Sequence, residues 1–181
     1  YVGPGVNAVL DFEGGAGTDK FIILSGAAAS VIRGNDGDDQ FIGGSNAGGM
    51  RFYGDAGNDF FRGGPGGGII DMGVGRNTII TGGGVNTIRV ASSEYTKITV
   101  GAGVTNISAD LHGQLEVKGS GNGTLTLDPI DSSKALTLTT GGLTYGDRLV
   151  SFTSGLRQVN ITDTNASTDL RVVMAANQSW G

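Results

Sequence analysis

A nine-residue plan repeated in register constrains this chain more than any other feature. The segments GGAGTDKFI (14–22), GNDGDDQFI (34–42) and GDAGNDFFR (54–62) each run through a glycine-rich turn to Asp19, Asp39 or Asp59. One residue later but one comes a large apolar residue, Phe21, Phe41 or Phe61. One such unit buries almost nothing alone, whereas stacked units build a continuous core. The expected architecture is therefore a stack of coils.

The register continues through degenerate copies. The residue in the Asp position is successively Asp19, Ser30, Asp39, Met50, Asp59, Gly68, Asn77 and Asn86. Two residues later stand Phe21, Ile32, Phe41, Phe52, Phe61, Ile70, Ile79 and Ile88, without exception. Side chains alternate across a strand, so this second series points inward from short strands. Steps between copies are 11, 9, 11, 9, 9, 9 and 9, so two copies make one coil of 20 residues, later 18. Alternate copies then share an edge. One edge carries Asp19, Asp39, Asp59 and Asn77; the other carries Ser30, Met50, Gly68 and Asn86, with small-residue turns expected to pack on one another.

Glycines allow positive φ and let backbone carbonyls approach a shared point. A carboxylate closing such a turn adds charge, and calcium accepts carbonyl and carboxylate oxygens in a flexible shell. An ion between coils would also cancel the repulsion between stacked carboxylates. The candidate residues are Gly14, Gly15, Gly17 and Asp19 in the first turn, and Gly34, Asn35, Gly37 and Asp39 in the second. Gly54, Asp55, Gly57 and Asp59 follow in the third, with Asn77 in the fourth. Two good sites are expected, between the Asp19 and Asp39 turns and between the Asp39 and Asp59 turns. A weaker third is expected between the Asp59 turn and MGVGRN (72–77), giving about two to three calcium ions along a single edge. The opposite edge is expected to be metal-free. Asp36, Asp38 and Asp55 lie in the same turns as extra ligands, as charges behind the ligands, or as solvated acids. Gly/Asp/Asn turns also form without metal, and that plainer reading weakens as copies accumulate in register.

Residues 14–22 fit G-G-x-G-x-D-x-U-x at every position, and 34–42 and 54–62 follow it closely. Over residues 14 to about 89 the chain resembles the RTX (hemolysin-type) calcium-binding nonapeptide-repeat family. That resemblance implies a β-roll, a bacterial protein exported by a one-step secretion machine, and folding on meeting calcium outside the cell. It implies a module rather than a catalyst. Such rolls accompany toxins, proteases, lipases, epimerases, adhesins and surface-layer proteins, so the roll does not choose among them.

Composition agrees with strands. Of 181 residues 35 are glycine and 3 proline, and glycine shows no period of three, which excludes collagen. The formal net charge is −5, with carboxylates concentrated in 35–59, which opposes nucleic-acid binding and favours a cation. There is no cysteine, so an extracellular chain needs another staple, and metal is one. No apolar run reaches transmembrane length and no signal peptide is visible, so no membrane insertion is expected. The chain reads as a fragment of a longer protein.

Residues 1–13 read as a lead-in strand or cap, and 14–90 as the roll. In 91–181 the Asp turns vanish, while apolar pairs recur (Ile98/Val100, Leu115/Val117, Leu125/Leu127, Leu136/Leu138, Val159/Ile161, Val172/Val173). The expected fold is all-β, a parallel β-roll or β-solenoid of short strands, calcium-binding in its first half and continuing metal-poor in its second. The alternative for 91–181 is a separate β-sandwich. Only STDLRVVMAANQ (167–178) offers an arguable helix.

Catalytic signals are weak. His112 is the single histidine and sits in LHGQ with no nucleophile motif nearby, and GGPGGG lacks the following GKS or GKT of a phosphate loop. Outward Arg33, Arg51, Tyr53, Arg62 and Arg89 suit either an acidic polysaccharide or plain solvation. Thr ladders in TLTL (124–127) and LTLTT (136–140) superficially suit ice, but Glu116 and Lys118 interrupt them. The expectation is a non-enzymatic, calcium-stiffened segment of an extracellular or cell-surface protein: a stalk, lattice or adhesin module. Expected partners are calcium and, beyond it, other copies of the chain or surface glycans. One alternative is an accessory folding and secretion domain of an exported enzyme or toxin; a weaker one is carbohydrate binding by the second half.

Overall fold

The computed structural model describes residues 1–25, 30–44, 49–91, 94–110, 112–119, 122–127, 136–139, 142–145, 148–152, 156–161 and 172–174, with backbone alone for 136–139, 148 and 172–174. These form eighteen strands and no helix. They are β1 Asp11–Ala16, β2 Lys20–Ile23, β3 Val31–Asp36, β4 Gln40–Gly43, β5 Arg51–Ala56 and β6 Phe60–Arg62. Next come β7 Gly67–Asp71, β8 Arg76–Ile80, β9 Val85–Val90, β10 Tyr95–Val100, β11 Val104–Ala109 and β12 Gln114–Gly119. The last are β13 Asn122–Leu127, β14 Leu136–Thr139, β15 Gly142–Tyr145, β16 Arg148–Phe152, β17 Leu156–Ile161 and β18 Val172–Met174.

The strands stack into two sheets, ordered β1-β3-β5-β7-β9-β11-β13-β17 and β18-β14-β15-β16-β12-β10-β8-β6-β4-β2. From residue 11 to 127 every pairing is parallel. Parallel neighbours require a crossover of a dozen or more residues, and here the strand of the opposite sheet supplies it. The chain is a parallel β-solenoid, and the coil length is the sequence period. Val31 pairs with Arg51 and Arg51 with Ile69, so a 20-residue coil gives way to one of 18.

The inward ladders follow the sequence register. Ile32, Phe52, Ile70 and Ile88 align across the first sheet, and Phe21, Phe41, Phe61 and Ile79 across the second. All but the half-buried Phe21 are buried. Phe21 stacks on Phe41 at 5.2 Å between centroids, and Phe52 meets Phe61 at 5.0 Å. Each fully buried apolar side chain stabilises by roughly 1.5–3 kcal/mol, and each aromatic pair adds about 0.5–1.5 kcal/mol.

The lead-in departs from expectation at its boundary. Strand β1 starts at Asp11 and runs through Gly14 and Gly15 to Ala16, so the first glycines of the repeat end a strand rather than form the turn. The parallel ladder carries them there, since Gly15 pairs with Asn35 and Asn35 with Asp55. Upstream, Val2 bridges Ile23 and caps the second sheet, while all of β1 is exposed at the first sheet's edge.

In the second half, β9 to β13 continue the same two sheets, so residues 95–127 are solenoid and not a separate sandwich. Beyond Leu127 the plain coil stops. Strands β14, β15 and β16 form an antiparallel meander before β16 and β17 rejoin β12 and β13. Only two residues separate β14 from β15 and β15 from β16, a link that antiparallel strands can make and parallel ones cannot. The arguable helix at 167–178 is also corrected. Val172–Met174 is a strand parallel to β14, as two adjacent β-branched residues favour, and the rest of that stretch lies outside the described residues.

Candidate metal centre

Each early coil turns its first corner between two facing seats. A glycine near the end of the odd strand (Gly14, Gly34, Gly54) faces an aspartate just before the even strand (Asp19, Asp39, Asp59). A Cβ on these glycines would lie 2.3, 2.0 and 2.2 Å from the Oδ2 of Asp19, Asp39 and Asp59 respectively. None of the three has positive φ, so glycine is required there for space. Positive φ falls instead on the next position, Gly15 (109°), Asn35 (74°) and Asp55 (71°), and again on Gly17, Gly37 and Gly57. Asn and Asp tolerate that region better than other side-chain-bearing residues. Gly37 and Gly57 also stack closely, since their Cβ positions lie 2.1 and 2.0 Å from the preceding coil's Gly17 and Gly37 carbonyl oxygens.

The aspartates form a ladder. Asp19 N–H donates to Asp39 Oδ1 (2.7 Å), Asp39 N–H to Asp59 Oδ1 (2.9 Å), and Asp59 N–H to Asn77 Oδ1 (2.8 Å). Asp39 and Asp59 are each 1% exposed, and their Oδ2 atoms have no hydrogen-bond partner among the described residues. Carbonyl oxygens of the next coil face the same points: Gly34 O, Gly54 O and Met72 O lie 2.8, 3.0 and 2.8 Å from the Cβ positions of Gly14, Gly34 and Gly54. Each of the three expected inter-coil sites thus joins one carboxylate oxygen to a carbonyl of its neighbour.

Acceptors gathered without a donor make the charged form costly. Burial raises the Asp39 carboxyl above its usual range, and the charges of Asp19, Asp38 and Asp55 add to it against the Asp19 amide's opposing hydrogen bond. Burial pushes Asp59 up to about 6, again with Asp39, Asp38 and Asp55 contributing. Such a gathering of acceptors suits a positive partner, and all-oxygen donors suit a hard cation. Among the described residues no three acidic, histidine or cysteine side chains converge on one point, so any ion here depends on backbone oxygens as well. The donor set fits calcium on those terms.

The other acids of these turns have different surroundings. Asp36 and Asp55 are exposed. Asp38 Oδ1 accepts from Asn58 N–H (2.7 Å) and Asn58 Nδ2 (3.1 Å), and Asn58 Oδ1 accepts from Arg76 N–H (2.9 Å). This outer ladder was not foreseen from sequence. Its signal was an Asp or Asn just before the ladder aspartate in two successive coils.

The opposite edge carries neutral residues at the ladder position, with Asn86 Oδ1 buried and without a hydrogen-bond partner among the described residues. Ser30 Oγ accepts from Leu10 N–H, Met50 and Gly68 are buried, and Asn86 Nδ2 donates to Gly83 O (3.3 Å). Backbone meets backbone there: a Cβ on Gly82 would lie 2.1 Å from Gly64 O. The middles of two of its turns, 26–29 and 45–48, lie outside the described residues.

Of the remaining candidates, exposed His112 has Nδ1 3.5 Å from Asp110 Oδ2. The outward arginines do not form one patch. Arg33 packs over the Tyr53 ring at 4.3 Å, Asp71 separates Tyr53 from Arg89 along the same column, and Arg62 belongs to the other sheet. Compared with known protein families and with curated proteins, the chain matches none of them.

Proposed function

We propose that this chain is a calcium-stabilised structural module of a secreted or cell-surface bacterial protein: a surface-layer, adhesin or stalk segment without catalysis of its own. The observation carrying this reading is the pair of buried, partnerless Oδ2 atoms of Asp39 and Asp59, each beside a carbonyl of the next coil. The RTX-like repeat that places them supports it. Asp19, Asp39 and Asp59, with the carbonyls of Gly34, Gly54 and Met72, would hold the ions. Bound calcium supplies positive charge between coils. The chain's own part is to orient oxygens: inward glycines clear the space, positive-φ residues aim the carbonyls, and the Oδ1 ladder fixes each carboxylate.

Affinity is expected in the range of extracellular modules, ~10⁻⁴ to 10⁻³ M. Residues 14–80 are then the first part of the chain to melt when calcium is removed, since their corners gather acceptors without donors. Circular dichroism of the chelated protein during calcium titration tests this. A β-signal that is unchanged between chelator and 10 mM calcium (roughly ten to a hundred times that dissociation constant), together with no heat of binding, would sink the proposal.

A further inference from the structure

The fourth corner differs from the three before it at both seats, with Met72 in place of glycine and Asn77 in place of aspartate. Asn77 occupies the ladder position of Asp19, Asp39 and Asp59, and its Oδ1 accepts the preceding coil's amide as those of Asp39 and Asp59 do. Its second terminal atom is a nitrogen. Asn77 Nδ2 donates to Met72 O (3.0 Å) and Gly73 O (3.2 Å), the carbonyls of the first and second positions of its own turn. In the upstream turns those positions are Gly34 and Asn35, and Gly54 and Asp55, while the facing atom is the partnerless Oδ2. Asp and Asn have the same shape, so the carboxylates put an acceptor where Asn77 puts a donor.

We infer that Asn77 is the built-in end of the cation row, its side-chain amide doing for the fourth turn what a bound ion does for the turns before it. Two consequences follow. Met72 O, the carbonyl that the Asp59 site would borrow from the next coil, is already engaged, which makes that site the poorest of the row. The row also cannot pass into the second half, because the equivalent seats in the next two coils are Thr96 and Leu115. The ion count is thereby set by how many turns pair a carboxylate with a facing glycine.

This inference rests on the calcium reading for its ion count but not for its metal-free behaviour. The test is a reciprocal pair, N77D and D59N, with M72G/N77D beside them, each measured by native mass spectrometry for calcium stoichiometry and by thermal melting in chelator. N77D is expected to melt about 5 °C lower without calcium, and M72G/N77D, which also clears the seat that Gly14, Gly34 and Gly54 leave open, to bind one more ion than wild type. D59N is expected to bind one fewer and to melt about 5 °C higher in chelator, since its amide can donate to Gly54 O and Asp55 O. Should N77D fail to fold without calcium, D59N alone decides the matter. An unchanged ion count in M72G/N77D and D59N alike, or a D59N protein less stable than wild type in chelator, overturns the inference. A wild type that takes up no calcium sinks the functional reading instead, and the chelator melts still decide whether the amide replaces a missing positive partner.

Discussion

The coils before Ile80 and those after it use the same two corner seats and fill them with opposite chemistry. Gly34 with Asp39 and Gly54 with Asp59 become Met72 with Asn77, then Val90 with Thr96, then Ala109 with Leu115, position for position along the sheets. Every one of these later residues is buried. Once the carboxylate is gone the facing glycine is replaced by a residue with a side chain, and that side chain diminishes from Met72 to Val90 to Ala109 as its partner goes from Asn77 to Thr96 to Leu115. The difference teaches that the apolar ladders common to both regions specify the coil, whereas the corner is closed by an amide at Asn77, by hydrocarbon at Leu115 and, on the calcium reading, by an ion at Asp39 and Asp59. Only that last solution would make stability depend on an added partner.

That contrast can be broken in order of expected effect. Asp39→Ala is the largest, because Asp39 links two neighbours, accepting from Asp19 and donating its amide to Asp59. Losing the ion on its Oδ2 at about a hundred times its dissociation constant, together with the bond its Oδ1 accepts, removes roughly 4 kcal/mol, read as a lowered calcium-state melting temperature. A calcium-state loss no greater than that of Asp71→Ala would count against Asp39 as a ligand. Next is Ile107→Ala, which empties a fully buried seat in the second region and should cost about 2–5 kcal/mol equally with and without calcium. A calcium-dependent cost would show that the regions are not separately stabilised.

The third effect is pH-dependent and confined to the metal-free protein. Asp59 has a folded-state pKa raised to about 6, so protonation favours the fold: its contribution is complete below pH ~4 and is lost as pH rises through 6. Urea melts in chelator should therefore show ~2 kcal/mol less stability at pH 7 than at pH 4.5, and D59N should flatten the profile. Stability rising with pH across that window would contradict the assignment. Smallest is Asn58→Ala, which removes exposed hydrogen bonds and should change stability by about 1 kcal/mol or less in either buffer.

Much of this was legible because periodicity survives in sequence even where chemistry drifts. Phe21, Phe41, Phe61 and Ile79 preserve their spacing, so register, coil length and the separation of Asp19, Asp39 and Asp59 from Ser30, Met50 and Gly68 could be read directly. What could not be read was which residues face each other across a corner. Gly34 looked like a turn residue because glycine so often serves φ, and its real task, making room for Asp39 Oδ2, is a matter of three dimensions. The bond from Asn77 Nδ2 to Met72 O was hidden for the same reason. Past Leu127 the apolar pairs kept their look while the strands reversed direction, since alternation marks a strand without giving its sense.

The stacking distance itself has a consequence for assembly. Adjacent coils in a sheet lie about 4.8 Å apart, so neighbouring buried carboxylates sit well inside the ~8 Å screening length of physiological saline. Dissolved sodium chloride acts from outside the wall and cannot neutralise them there. On the calcium reading the counter-charge would be enclosed as each corner shuts, so the early coils would wind by stepwise capture, one lap at a time, that ordinary salt would not imitate.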